Sequence, residues 1–176
     1  MIETLISSKT RIKLLLKFFL NSNTTAYLRG LEDEFGESTN SIRLELNRFE
    51  KAGFLESHSQ ANKKVFKVNV KHPLFKDINN IVLKLVGLDH VMDYVLKQMG
   101  DLKKVYLVGN LSNGKDDEII DLVLVGDINE FFLKDLIIKA EKKINKKIQY
   151  IHYKESDFIL KDMAELGSTP LLLWSK

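Results

Sequence analysis

Apolar residues recur at Ile12, Leu15, Leu16 and Phe19, the i, i+3, i+4, i+7 order that lines one face of a helix, and Ser8 precedes them as an N-cap. The polar run Asn21–Thr25 interrupts this pattern. Leu28, Leu31 and Phe35 then predict a short second helix from about Ala26 to Phe35, closed by Gly36. Ser38 is placed to cap a third helix that turns Ile42, Leu46 and Phe49 inward and ends at Ala52–Gly53. Two runs of β character follow, FLESH (Phe54–His58) and VFKVNV (Val65–Val70), joined by the polar, basic link SQANKK.

The rest of the chain changes rhythm. Pro73 suits a helix start, and Ile78, Ile81, Val82 and Leu85 form an apolar stripe behind it. Gly87 interrupts that stripe before Val91, Tyr94, Val95 and Met99 begin another. Strands are predicted at Lys104–Val108, Ile119–Val125 and Lys147–Tyr153, helices at Ile128–Ile144 and Glu155–Leu166, and a final buried segment at TPLLLW. The pattern implies an α+β chain: a first domain over 1–71, a helical connector over 72–100 and a small α/β domain over 101–176. No internal repeat or low-complexity tract is visible.

Helix, short helix, tight turn, helix and hairpin is the order of a winged helix-turn-helix, and the turn FGEST (Phe35–Thr39) is its specific part. A glycine midway lets the chain reverse, so the third helix crosses the second steeply. The stretch LRGLEDEFGESTNSIRLELNRFEKAGFL, within a match over Thr10–Val70, resembles the winged-helix domains of ArsR-like regulators. If the third helix enters a major groove, the face opposite Ile42, Leu46 and Phe49 carries Asn40, Arg43 and Asn47. Arginine pairs bidentately with guanine and asparagine with adenine, so this face is able to read bases. Ser38, Thr39 and Ser41 suit phosphate or base-edge contacts, Thr24 and Thr25 the DNA backbone, and Asn62, Lys63 and Lys64 phosphate or minor groove. Arg48 adds charge to the third helix, while Glu45 and Glu50 count against DNA. One winged helix covers little duplex, so a homodimer on a two-fold site is expected. The stripe at Ile78–Leu85 is either its seam or packing within the chain.

Charge sharpens this picture slightly. Residues 1–75 hold twelve Lys and Arg against eight Asp and Glu, a net +4, whereas 76–176 hold fifteen against sixteen, a net −1. A basic first half favours an anionic partner such as double-stranded DNA. The chain has no cysteine, so disulfides and cysteine-bound zinc are excluded. No apolar run approaches the roughly 18 residues of a membrane span, and the N-terminus lacks the order of a secretory signal, so no membrane association and a cytoplasmic location are expected.

The second domain contains VGNLSNGKDDEIIDLVLVG, Val108–Gly126. This stretch resembles the signature of the minimal nucleotidyltransferase domain, a Gly-Ser, a second Gly, then Asp-x-Asp on the next strand. Gly109 falls on the first glycine, Asn110 on the serine, Gly114 on the second glycine and Asp121 on the second aspartate, but Ile119 stands on the first. Two-metal transfer needs several carboxylate oxygens, and Asp-x-Asp supplies two on one strand face because side chains alternate. Ile119 removes one of them, and KIQYIHY offers no third acid. Asp116, Asp117 and Glu118 read as a solvated acidic turn. The resemblance therefore implies a degenerate, inactive domain with no cofactor. Gly109, Asn110, Gly114 and Asp121 would form a vestigial nucleotide pocket, open to a nucleotide or another anion as effector, or simply a pair of turn glycines.

Other chemistry fades. His58, His72, His90 and His152 lack metal-ligand spacing, and Lys139, Lys142, Lys143, Lys146 and Lys147 read as a solvated helix end. The expected function is a DNA-binding transcriptional regulator whose second domain serves sensing or dimerisation. Its rivals are an active nucleotidyltransferase acting on a nucleic-acid or protein hydroxyl, and a module that docks proteins rather than DNA.

Overall fold

The computed structural model of the protein describes residues 6–92, 101–159 and 170–176. The chain is mixed α+β with two sheets and divides into two compact units, Met1–Val82 and Leu83–Lys176.

In the first unit α1 spans Lys9–Leu15, and the Ser8 hydroxyl accepts from the Arg11 amide at 3.2 Å. The helix continues as a π-helical turn over Leu16–Leu20. The wider turn brings Leu14, Leu16, Phe18, Phe19 and Leu20 into the core together, while Ile12 and Leu15 of the predicted stripe are only half-buried. Lys17, inside this apolar run, is buried and meets the Glu34 carboxylate at 2.8 Å. Ala26 and Tyr27, expected to open the second helix, instead join Thr25 in a short strand, β1 (Thr25–Tyr27). Thr and Tyr favour a pleated edge, and the strand has a partner waiting in the later hairpin. Helix α2 covers Leu28–Phe35 and ends on Gly36 in the left-handed region, φ 63°. Helix α3 covers Thr39–Lys51 behind its Ser38 cap and buries Ile42, Leu46 and Phe49.

The hairpin strands β2 (Leu55–Gln60) and β3 (Lys63–Val68) meet in register from Leu55 opposite Val68 to Gln60 opposite Lys63. Ala61 and Asn62 form the two-residue turn, both with positive φ, as the twist of a tight hairpin demands. β1 pairs antiparallel with β3, which gives the order β1-β3-β2. Phe19 gathers the rings of Phe49, Phe54 and Phe75 at 6.0–6.5 Å, and the His72 ring lies 4.2 Å from that of Phe54. Helix α4 spans Phe75–Val86, and the division between the units falls within it. Its predicted stripe is split: Val82 is buried, Ile78 and Leu85 are half-buried, and Ile81 is 52% exposed.

In the second unit the strands are β4 (Asp101–Val108), β5 (Ile119–Asp127), β6 (Lys147–Tyr153) and β7 (Leu171–Ser175), in the order β6-β5-β4-β7. A short helical turn, α5 (Gly109–Ser112), follows β4, and α6 (Glu130–Ile144) joins β5 to β6, which run parallel. Leu133, Leu136, Ile137 and Ala140 of α6 gather with Leu122, Leu124 and Ile148 of the sheet. A separate cluster of Tyr106, Val108, Val123 and Val125 is joined by Tyr153 and Phe158. The final apolar segment forms the edge strand β7, half-buried rather than enclosed. Of the helix expected over Glu155–Leu166, Glu155–Asp157 forms a 3-10 turn, and 160–166 lie outside the described residues, as do Tyr94, Val95 and Met99. No helix among the described residues is long and apolar enough to cross a membrane.

One ion cluster ties α3 to α1. Glu45 is 4% exposed, and its carboxylate takes Arg11 through Nε at 2.8 Å and Nη2 at 3.1 Å and Arg48 through Nη1 at 2.7 Å. Burial pushes the Glu45 carboxyl up, but the Arg11 hydrogen bonds and the charges of Arg11 and Arg48 outweigh it and hold the group below its ordinary value. A depressed carboxyl contributes stability that is present above the unfolded value and lost as pH falls through the folded one. Glu45→Gln should therefore cost about 1.5–3 kcal/mol at neutral pH, the range of charge-assisted hydrogen bonds. It should also flatten the fall in stability below about pH 4.5. Thermal unfolding followed by far-ultraviolet circular dichroism at neutral and acid pH checks both; an unchanged acid limb would show that the cluster does not carry the pH dependence.

Candidate nucleic-acid interface and the pocket beside β5

Three pieces of the first unit enclose a groove of about 770 Å³: the start of α2, the outward side of α3 and the hairpin tip. Among the described residues its walls bring together Arg29, Arg43, Lys63 and Lys64 with Asn47 and Asn62, and Asp33 is the one carboxylate. Arg43 and Asn47 reach it because they lie one helical turn apart on the exposed side of α3, away from the buried Ile42 and Phe49, with Leu46 at the base of the wall. Arg43 also donates through Nη1 to Asn40 Oδ1 at 3.1 Å, so the two side chains form one outward edge.

The hairpin lysines are held rather than loose. Lys63 Nζ sits 4.2 Å from the centroid of the Tyr27 ring. Lys64 meets Glu50 at 2.7 Å, and the same carboxylate accepts from the Ser57 hydroxyl at 2.5 Å. The Lys64 bond, then that of Ser57, draws the Glu50 carboxyl below its ordinary value. Glu50 thus anchors the tip of the hairpin to the end of α3.

Of the other residues expected to face DNA, Asn40, Ser38 and Ser41 are exposed, but the two serines are occupied with the cap. Ser38 Oγ accepts the Ser41 amide at 3.3 Å and lies 2.9 Å from Ser41 Oγ. Thr39 donates to Glu32 at 2.7 Å, which fastens α2 to α3. Thr25 starts β1 opposite Lys67, and Thr24 is half-buried before it; neither lines the groove. Arg29, Tyr27 and Asp33 were not singled out from the sequence. Arg29 and Asp33 stand at i and i+4 on the polar side of α2, a spacing that was available as a signal.

In the second unit, Val108, Gly109, Asp121, Leu122, Gln149, Tyr150 and Ile151 line a pocket of about 330 Å³. Val108 and Gln149 are the two register partners of Asp121, on β4 and β6. Ile119, two residues earlier, is beside Lys147. A carboxylate pair therefore has no second member: the strand position holds an isoleucine, and the neighbouring strand offers an amide. Gly109 has φ 71°, and a Cβ there would collide with the Asp121 carboxylate, so a glycine is required on both counts. Gly114, φ 73°, closes the turn after α5 by donating to the Leu111 carbonyl at 2.9 Å. Asn110 donates to Asp117 at 2.7 Å, and Asp117 also accepts the Ile119 amide at 3.0 Å, so this acid organises the loop. Lys146 meets Asp116 at 3.4 Å and donates to the Asp117 carbonyl. No hydrogen bond reaches the Asp121 carboxylate from the described residues; burial, then the charge of Asp117, pushes its carboxyl above its ordinary value.

No group of three His, Cys, Asp or Glu among the described residues is arranged to hold a metal ion. His152 donates through Nε2 to the Gly126 carbonyl at 2.8 Å and faces Glu130, a structural role. No known protein-family model matches the chain, and no curated protein matches it in sequence.

Asp121 gives this pocket a testable signature. Its raised carboxyl means that the folded state holds its proton more tightly than the unfolded chain, so stability falls as pH rises through the folded value. Asp121→Asn should abolish that fall and leave the second unit more stable than the parent at pH 7, with no loss at pH 4. Trp174, the single tryptophan, lies in β7 and reports on this unit. Urea unfolding followed by its fluorescence at the two pH values decides the matter, and destabilisation at both would mean that the carboxylate has a partner.

Proposed function

We propose that this chain is a DNA-binding transcriptional regulator, with a winged helix-turn-helix in the first unit that reads duplex DNA through α3. The second unit is, in this reading, a nucleotidyltransferase-like domain without transfer activity that serves sensing or dimerisation. The observation that carries the proposal is the groove itself. It joins an outward helix face bearing Arg43 and Asn47 to a hairpin tip bearing Lys63 and Lys64, with Arg29 between them. That arrangement combines groups able to read base edges with groups able to meet phosphates. The burial of Glu45 against Arg11 supports it further, because the acid that opposes DNA binding in the sequence points away from the groove face. The proposed homodimer would supply a second half-site contact.

The residues beside β5 support the expected absence of transfer. Ile119 stands where the other carboxylate of the pair is needed and cannot coordinate a cation, and the later strand places Gln149 beside Asp121 and offers no third acid. Incubation with magnesium or manganese and labelled nucleoside triphosphates should transfer no label to nucleic acid or protein. Transfer abolished by Asp121→Asn would overturn this half of the reading.

The DNA half is tested by selecting bound sequences from random duplexes and titrating the selected and scrambled duplexes at several salt concentrations. Arg43→Ala should cost about 1–3 kcal/mol on the selected sequence and relax discrimination at one base position. Replacing Lys63 and Lys64 together by Ala should weaken every duplex alike and make the salt slope shallower by roughly one per lost phosphate contact. A parent protein that binds no duplex at low salt would instead favour the protein-docking module.

A further inference from the structure

The pocket beside β5 has an electrostatic character opposite to that of a phosphate site. Among the described residues, Asp121 is the one charged residue of its lining, and no hydrogen-bond partner reaches its carboxylate from them. The two lysines at the start of β6 are engaged elsewhere: Lys146 with Asp116 and the Asp117 carbonyl, and Lys147 with Glu141 at 3.4 Å. Asp117 adds negative charge close enough to be felt at Asp121. Among the described lining residues, an anion entering here would meet a carboxylate with no cation to offset it.

The remaining walls narrow the class. Val108, Leu122, Tyr150 and Ile151 supply apolar surface, and Gln149 supplies an amide that both donates and accepts. A hard metal ion needs several oxygen ligands, which one carboxylate does not provide. A planar or tetrahedral nitrogen cation needs only a carboxylate and a neighbouring acceptor, and a fork of two N–H groups fits a carboxylate best. The volume of about 330 Å³ is at the small end of ligand pockets.

We propose that this pocket binds a small organic cation, an amidinium or protonated amine on a compact apolar body, with Asp121 as its counter-ion and Gln149 as its second polar contact. The missing Cβ of Gly109 is part of the site, because it leaves room for the Asp121 carboxylate at the pocket wall. The assignment does not depend on the DNA reading, since it concerns only the second unit.

Three probes that share one ring and differ in charge test it: benzamidine, benzoate and phenyl phosphate, each titrated calorimetrically into the full-length protein. Benzamidine should bind and the two anions should not. Asp121→Asn should weaken benzamidine by about tenfold or more, the loss expected for a charge-assisted pair. Gln149→Glu, which adds a second carboxylate, should tighten it. The Trp174 emission of each variant, compared with the parent, separates loss of binding from loss of fold. Tighter binding of either anion overturns the proposal, as does no binding of benzamidine by the parent, or equal binding by a folded Asp121→Asn protein.

Discussion

The first unit depends on a carboxylate that has no way to remain buried alone. An ionised Glu45 at 4% exposure would be strongly unfavourable without partners, and Arg11 supplies two of the three hydrogen bonds that offset its desolvation. Arg11 belongs to α1, so the bond fixes how α3 is rolled against α1. Once Glu45 faces inward with Ile42, Leu46 and Phe49, Arg43 and Asn47 are carried to the opposite side. The same carboxylate takes Arg48, which removes one cation from the outward face. At the far end of α3, Glu50 performs the complementary task by holding Lys64 and Ser57 of the hairpin. Two acids on one helix thereby set both edges of the groove.

The second unit is organised by strand alternation in β5. Between a parallel neighbour and an antiparallel one, β5 has no freedom to slip without reversing every side chain. Asp121 is therefore bound to share a face with Ile119 and to lie beside Gln149. The acidic loop before β5 offers no rescue. Asp117 is committed to the Asn110 amide and the Ile119 amide, and Asp116 to Lys146. The loop acids hold the turn, and Asp121 is left as an isolated carboxylate at a pocket wall.

Much of this was legible in the sequence where one signal dominates. The caps at Ser8 and Ser38, the stop at Gly36, the inward face of α3 and the strand–helix alternation after Leu102 all follow from local rules. What escaped required partners distant in the chain. Residues Thr25–Tyr27 carry no strong period of their own and become a strand because β3 receives them. Lys17 interrupts an apolar run, and nothing local shows that Glu34 meets it in the interior. The π-helical turn after Leu15 shifts which residues are buried, which a fixed period of 3.6 does not anticipate. In the groove, Arg43, Asn47, Lys63 and Lys64 are legible as outward polar positions, whereas Thr24 and Thr25, expected at the DNA backbone, do not line it, because the chain there forms the strand β1 before α2 begins at Leu28.

Pairing also changes what the net charge means. A surplus of +4 over residues 1–75 looks too small to specify an anionic partner. Within the first unit, however, Arg11, Lys13, Lys17, Arg48, Lys64 and Lys67 are taken up by Glu45, Glu37, Glu34, Glu50 and Glu56. These pairs neutralise each other locally and contribute little field at a distance, since opposite charges in contact act as dipoles. Among the described residues, Arg29, Arg43 and Lys63 have no ion pair, and all three line the groove, against Asp33 alone. Lys9, Lys51 and Lys71 also have no ion pair there and lie outside the groove, so half of the six unpaired cations of residues 1–75 are gathered on its walls. A modest net charge gathered into one concave surface is a stronger attractor for a polyanion than a larger charge spread evenly, because the potential at the surface is set by the nearest unscreened groups.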